Sequence, residues 1–296
     1  MTSLLARRDT VLLDGGLATE LERRGHDLSD ALWSARLLID APDAIRQVHV
    51  DYLDAGADVI ISASYQATVA GLRSCAGVDE DQAAESMRRS VALASAARRD
   101  REALVAASIG PFGAAQADGS EYTGDYGLDE DALCRWHRHR FRLLANAGAD
   151  LLAIETVPSL VEARALLRLL DESPVDAWFS FTCRDSERVA DGTPLVDCIR
   201  AVAPHPRVAA LGINCTAPDL VEPLLRQIAP HARKPLLAYP NSGETWNADA
   251  RSWCGVSASV RFADLAPGWR DAGARLIGGC CRTDPRTIRA LRDALC

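Results

Sequence analysis

Eight short apolar runs, each followed by a stretch of helical period, recur along this chain from end to end. The runs fall at residues 10–14, 58–62, 103–108, 150–155, 177–182, 208–213, 235–239 and 274–278. The helical stretches fall at 17–24 with 42–55, then 80–98, 129–147, 159–170, 194–202, 218–228, 257–271 and 284–295. A short apolar run between turn residues fits a strand buried on both faces, as in parallel sheets. Eight strands, each followed by a helix, is the count of a (β/α)8 barrel, and 296 residues is an ordinary length for one. The expectation is an α/β fold, a TIM barrel, with one domain spanning residues 1–296. A small internal repeat supports it: Ala55-Gly56-Ala57-Asp58, Ala147-Gly148-Ala149-Asp150 and Ala272-Gly273-Ala274-Arg275 each join a helix end to the next strand. Glycine suits the left-handed position that closes a helix.

The connections after the strands are uneven. Residues 111–128, 183–193 and 240–256 form long polar loops, the last carrying Trp246 and Trp253. In a barrel the functional loops follow the strands, at the C-terminal face, so the asymmetry points to an active face there.

Three cysteines end two of the strand runs: Cys215 after Gly212-Ile213-Asn214, and Cys280-Cys281 after Gly278-Gly279. Three readings are open. They are buried thiols, a vicinal disulfide, or ligands of a Zn²⁺ whose fourth position stays open, which is the mark of a catalytic zinc. Adjacent cysteines on a regular strand point to opposite faces, so a shared metal needs the backbone to turn, and Gly278-Gly279 permits a turn. The chain has nine cysteines, an odd number without a disulfide-framework spacing. Cys75, Cys134, Cys198, Cys254 and Cys296 stand alone and are read as incidental.

Net charge is −8, which argues against nucleic acid and against an anionic membrane as partners. No run is long enough to span a bilayer, and residues 1–10 lack a signal-peptide core, so a cytoplasmic protein is expected. The single lysine, Lys234, precedes a strand run at the wrong end for barrel catalysis, which argues against Schiff-base chemistry. Gly110-Pro111-Phe112-Gly113 has neither the spacing nor the lysine of a phosphate loop. His137 and His139, two apart on a helix, do not share a face and are read as surface residues.

The other strand ends carry Asp14, Glu155, Asn214 and Tyr239. Three thiolates on zinc leave a net charge near −1, poorly suited to generating hydroxide but suited to holding a substrate thiol as an electron-rich nucleophile. The implied chemistry is alkyl transfer to a thiol. Asp14 and Glu155 could then take the ammonium of an amino acid, and the turn Asp14-Gly15-Gly16 at a helix start could take its carboxylate. Bland readings stand beside these: a capping aspartate and an arginine-paired glutamate. Ser62, Ser64, Tyr65, Gln66 and Thr68 follow the second strand and could line the pocket. Tyr239, Trp246 and Trp253 could pack a sulfonium.

These residues resemble the homocysteine S-methyltransferase family. Asp14-Gly15-Gly16, Glu155-Thr156, Gly212-Ile213-Asn214-Cys215, Tyr239-Pro240-Asn241-Ser242-Gly243 and Gly278-Gly279-Cys280-Cys281 are its landmarks, in order, over nearly the whole chain. The resemblance implies a zinc-dependent barrel that moves a methyl group from a sulfonium or ammonium donor to homocysteine, giving methionine. It implies Cys215, Cys280 and Cys281 as zinc ligands, and Asp14 and Glu155 as ammonium partners. The compact length resembles members that use S-methylmethionine or S-adenosylmethionine, and betaine-using relatives share the barrel. Two competing classes are a zinc-dependent barrel hydrolase or lyase, which would place His or carboxylate ligands at the strand ends, and a non-enzymatic barrel with structural or redox-active cysteines.

Overall fold

The computed structural model describes residues 2–29, 32–247, 252–255 and 257–296. Eight parallel strands make one sheet: β1 Val11–Leu12, β2 Val59–Ile61, β3 Leu104–Ile109, β4 Leu151–Val157, β5 Ala177–Phe181, β6 Val208–Asn214, β7 Leu236–Tyr239 and β8 Ala274–Ile277. From β2 to β7 each pairs with the next, β8 pairs with β7, and β1 pairs with β8. Leu13 bridges Val59, and the Asp58 N–H donates to the Leu12 carbonyl at 2.7 Å, which brings β1 back onto β2 and closes the barrel.

The two faces of each strand bury different things, as a period of two requires. Val11, Leu13, Val59, Ala106, Ala153, Trp178, Ala210, Leu237 and Leu276 pack together inside the barrel. Leu12, Ile60, Val105, Phe179 and Leu211 pack outward among the helices. Trp178 is the bulky member of the interior, and the small side chains of Ala106, Ala153 and Ala210 leave it room.

The repeat before the strands has a structural meaning. Gly56, Gly148 and Gly273 hold φ of +106°, +87° and +111°, the left-handed region that glycine enters without strain. The aspartate that follows then ties its strand to the neighbour before it. Asp58 accepts from the Leu12 N–H at 2.8 Å, and Asp150 from the Val105 N–H at 2.7 Å. In the third copy Arg275 instead donates to the carbonyls of Leu5 and Arg8 at 3.0 and 2.8 Å.

Those carbonyls belong to a feature the sequence reading passed over. Residues Thr2–Arg7 form a helix ahead of β1, and Leu4 packs with the interior cluster. The helix is too short for periodicity to reveal it. The loop after β7 also holds structure: Thr245–Asn247 and Ser252–Cys254 pair antiparallel, with Trp246 opposite Trp253. The side chains of Trp246, Trp253 and Cys254 lie outside the described residues, so the sulfonium-packing expectation for the two tryptophans does too. Among the described residues, no helix is long and apolar enough to cross a membrane.

His137 corrects the surface reading. It is fully buried on the helix Glu130–Ala145, with Nε2 2.8 Å from Glu162 Oε1. Its neighbours Leu133, Phe141 and Leu144 stand at helical spacing on the same buried face. His139, two positions on, is exposed as expected.

Candidate active site

The C-terminal ends of the strands converge on a cavity of about 390 Å³. Asp14, Glu155, Tyr239, Cys215, Cys280 and Cys281 all line it, as do Gly15, Gly16 and Gln66.

The three sulfurs lie within 4.8 Å of one another. Cys281 Sγ is 3.6 Å from Cys215 Sγ and 4.0 Å from Cys280 Sγ. Sulfurs about 2.3 Å from one ion at tetrahedral angles stand about 3.8 Å apart, so the unbonded thiols already have the spacing a zinc would impose. A disulfide would need about 2.05 Å. Cys215 is buried and the other two are half-buried, leaving the cluster open towards the cavity. Hydrogen bonds from the Cys280 and Cys281 thiols, helped by the Tyr122 hydroxyl 3.4 Å away, hold Cys215 well below the usual thiol range. The same hydrogen bonds to Cys215, with burial and then its charge, push the Cys280 and Cys281 thiols well above that range. The cluster is thus a shared thiolate prepared for a cation. Cys75, Cys134, Cys183, Cys198 and Cys296 are free thiols outside it.

Backbone strain places these sulfurs, but not where the glycines suggested. Cys215 itself has φ of +46° and Arg282 has +64°, whereas Gly278 and Gly279 lie outside the left-handed region. The glycines serve close approach instead. A Cβ on Gly278 would come within 2.6 Å of Leu13 Cβ, and one on Gly279 within 2.3 Å of Thr283 Oγ1. The turn itself falls at Cys281 and Arg282, aided by Thr283 Oγ1 donating to the Cys280 carbonyl at 2.7 Å. Strain at a non-glycine residue beside a site is a common price of fixing ligand geometry.

Gly15 and Gly16 act similarly. A Cβ on Gly16 would lie 2.7 Å from the Cys280 carbonyl, so the bare backbone lets the β1 turn pack on the cysteine turn. The Gly16 N–H, a candidate for a substrate carboxylate, already donates to Thr283 Oγ1 at 3.1 Å.

The two carboxylates are buried and, among the described residues, have no cationic side-chain partner. Asp14 Oδ2 accepts from the Ile61 N–H at 2.8 Å, while its Oδ1 is buried with no hydrogen-bond partner. Burial pushes the Asp14 carboxyl well above its ordinary range, the Ile61 bond opposes this, and the charge of Glu155 pushes it further. Glu155 accepts from the Ser108 hydroxyl at Oε1 and from Tyr239 OH at Oε2, the latter at 3.1 Å. Burial still raises Glu155 to about 7 despite these bonds. Two facing carboxylates that resist ionisation are relieved together by one ammonium. The arginine-paired reading of Glu155 does not hold, because its partners are hydroxyls.

Tyr239 is more a support than a wall. Its hydroxyl meets Ser180 Oγ at 2.6 Å and accepts from Trp178 Nε1 at 3.1 Å, fixing the phenol that holds Glu155. Asn214 braces the site from behind. Its Oδ1 accepts from the Thr156 N–H at 2.7 Å and its Nδ2 donates to Thr156 Oγ1 at 2.8 Å, clamping the ends of β4 and β6 that carry Glu155 and Cys215. Ser64 faces away from the cavity: it is fully buried and its hydroxyl donates to the Ser108 carbonyl at 2.8 Å.

Tyr65 lines the cavity as its place after the second strand suggests, while Trp33, Glu121 and Tyr122 line it without having been singled out in the sequence. Trp33 and Tyr65 stand edge to face with centroids 6.4 Å apart, and Glu121 and Tyr122 descend from the loop after β3. Trp33, Glu121 and Tyr122 lie in non-periodic segments, and for the last two only the length of the loop marked the region.

A model of the homocysteine S-methyltransferase family matches residues 11–295. Homocysteine S-methyltransferase 4 of Zea mays is 49% identical over 304 residues, covering 96% of this chain and 89% of the relative. The homocysteine S-methyltransferase of Escherichia coli K12 is 48% identical over 302 residues, covering 99% and 97%. The metallated form of the homocysteine methyltransferase MmuM from Escherichia coli superposes with a TM-score of 0.88 at 47% identity, covering 98% of each chain. On the family match over residues 11–295 and these full-length likenesses, this chain belongs to the homocysteine S-methyltransferase family.

Proposed function

We propose that this protein transfers a methyl group from a sulfonium donor to the thiol of L-homocysteine, giving methionine, at a zinc ion held by Cys215, Cys280 and Cys281. The observation that carries the reading is the joining, in one cavity, of three sulfurs at metal-ligand spacing with two buried carboxylates that have no cationic side-chain partner among the described residues. No histidine or carboxylate joins the sulfur cluster among the described residues, which disfavours the hydrolase reading. When bound, zinc would keep the acceptor thiol deprotonated and nucleophilic near neutral pH.

The chain's own residues supply the rest. Asp14 and Glu155 hold the acceptor's ammonium, and Asp14 Oδ1 is the unfilled position for one of its N–H groups. Ser108 and Tyr239 fix the Glu155 carboxylate in orientation. A sulfonium leaves as a neutral thioether, so no general acid is required, and both carboxylates bind without moving a proton to the leaving group. Trp33 and Tyr65, which line the cavity, offer ring faces to the cationic donor, the role expected of Trp246 and Trp253 in the loop after β7. The transition state cancels charge between thiolate and sulfonium, which a cavity lined largely by apolar surface favours. One barrel domain over residues 1–296 carries the whole site, and three reduced thiols suit a cytoplasmic location.

The test is zinc-loaded protein with homocysteine and, separately, S-methylmethionine, S-adenosylmethionine and betaine, scored for methionine. S-methylmethionine is expected to give the highest kcat/KM, S-adenosylmethionine the next and betaine the lowest. Betaine ahead by tenfold, about 1.4 kcal/mol, would reverse the donor ranking. No methionine from any donor would sink the reading.

A further inference from the structure

The cavity is unusually one-sided in charge. Its lining holds five carboxylates, Asp14, Glu22, Asp27, Glu121 and Glu155, against one imidazole, His26, and among the described residues no arginine or lysine. Asp14 and Glu155 face each other and suffice for one ammonium. Glu121 stands apart from them, on the turn Ser120–Tyr122 in the loop after β3, next to the tyrosine whose hydroxyl touches Cys215. One oxygen of Glu121 is buried with no hydrogen-bond partner. Its backbone is seated firmly, since a Cβ on Gly113 would come within 2.3 Å of the Glu121 nitrogen. A buried acceptor without a partner, on a fixed turn in a substrate cavity, calls for a cation from the ligand.

Resting on the proposed methyl transfer, we infer that Glu121 binds the α-ammonium of the methyl donor and so selects amino-acid sulfoniums over donors without an amino group. The alternative, a contact with the sulfonium itself, works against the reaction. The sulfonium charge vanishes as the methyl leaves, so a carboxylate touching it would stabilise the ground state more than the transition state. The ammonium keeps its charge throughout, and a carboxylate there strengthens binding without penalising the chemical step. The donor then lies with its ammonium at Glu121, its sulfonium beside the Trp33–Tyr65 pair and its methyl towards the cysteine cluster. Betaine, with a quaternary nitrogen and no N–H, has nothing to donate to Glu121.

Replacing Glu121 by Gln keeps the shape and removes the charge. With zinc-loaded enzyme, KM for S-methylmethionine should rise at least about tenfold with kcat little changed, the loss of one charge-assisted hydrogen bond. KM for homocysteine should stay within about twofold, because Asp14 and Glu155 are untouched. Dimethylsulfoniopropionate, a sulfonium without an amino group, should be a weak donor for both proteins, with the same KM in each. Glu121→Asp should restore part of the S-methylmethionine affinity. The inference is overturned if S-methylmethionine KM is unchanged in Glu121→Gln, if homocysteine KM rises as much as donor KM, or if dimethylsulfoniopropionate loses affinity equally. A native enzyme that methylates homocysteine with none of these donors would instead overturn the function on which the inference rests.

Discussion

Tyr239→Phe should shift the pH at which the acceptor site begins to bind an amino acid. In the native protein burial raises Glu155 to about 7 from an ordinary 4.5, so its ionisation costs about 3 kcal/mol more than in water. The Tyr239 hydroxyl opposes that cost through its 3.1 Å bond to Oε2. Removing it forfeits a hydrogen bond to a carboxylate, about 1.5–3 kcal/mol, which corresponds to a further rise of about one to two pKa units. An ammonium needs the ionised carboxylate. Affinity is therefore level above the Glu155 pKa and falls tenfold per pH unit below it. The assay is the inhibition constant of norleucine, an amino acid without a thiol, from pH 5.5 to 8.5. Native enzyme should show a break near pH 7. Affinity in the variant should still be climbing at pH 8.5 and be weaker by roughly tenfold at pH 7. Trp178 Nε1 also loses its acceptor, at a stability cost of about 1–3 kcal/mol. A break that stays at pH 7, with unchanged affinity, would refute the role given to Tyr239 and the ionised state given to Glu155.

Two further substitutions test the scaffold. His49 is fully buried with both ring nitrogens unpartnered, and burial lowers its pKa from 6.5 to about 4. The unfolded chain therefore binds the proton more tightly, and stability is lost as pH falls from about 6.5 towards 4, by about 2 kcal/mol between pH 7 and pH 5. His49→Leu should remove that loss in urea unfolding at the two pH values, and an undiminished loss would contradict it. Gly212→Ala would drive a Cβ to 2.0 Å from the Leu237 carbonyl oxygen, between β6 and β7. The expected cost is about 3 kcal/mol, seen as a lowered Tm, and a Tm equal to that of the native protein would show that the strands part more easily than the structure implies.

The sequence was informative where physics leaves a period or a repeat. Strands buried on both faces appear as apolar runs, and the glycine-to-aspartate repeat marks helix closure and strand pinning at Asp58 and Asp150. The cysteine cluster was legible because thiols at two strand ends must converge in a barrel. His137 was misread because pairwise ligand spacing was weighed instead of the helical face it shares with Leu133, Phe141 and Leu144. Glu121, Tyr122 and Trp33 were invisible because their loops have no period, and only tertiary closure brings them to the cavity, whereas Tyr65 was legible from its place after the second strand. The glycines before Cys280 signalled a turn, yet what they answer is crowding by Leu13 and Thr283, which only packing reveals.

The central claim is that one metal ion on Cys215, Cys280 and Cys281 enables methyl transfer to homocysteine. Its most direct test is metal content and methionine formation in the same preparations of native protein and Cys281→Ala. The native protein should hold one zinc per chain and form methionine. The variant should lose both, with circular dichroism and Tm near native, because the barrel core is built without the metal. Full methionine formation by a Cys281→Ala protein free of zinc would contradict the account.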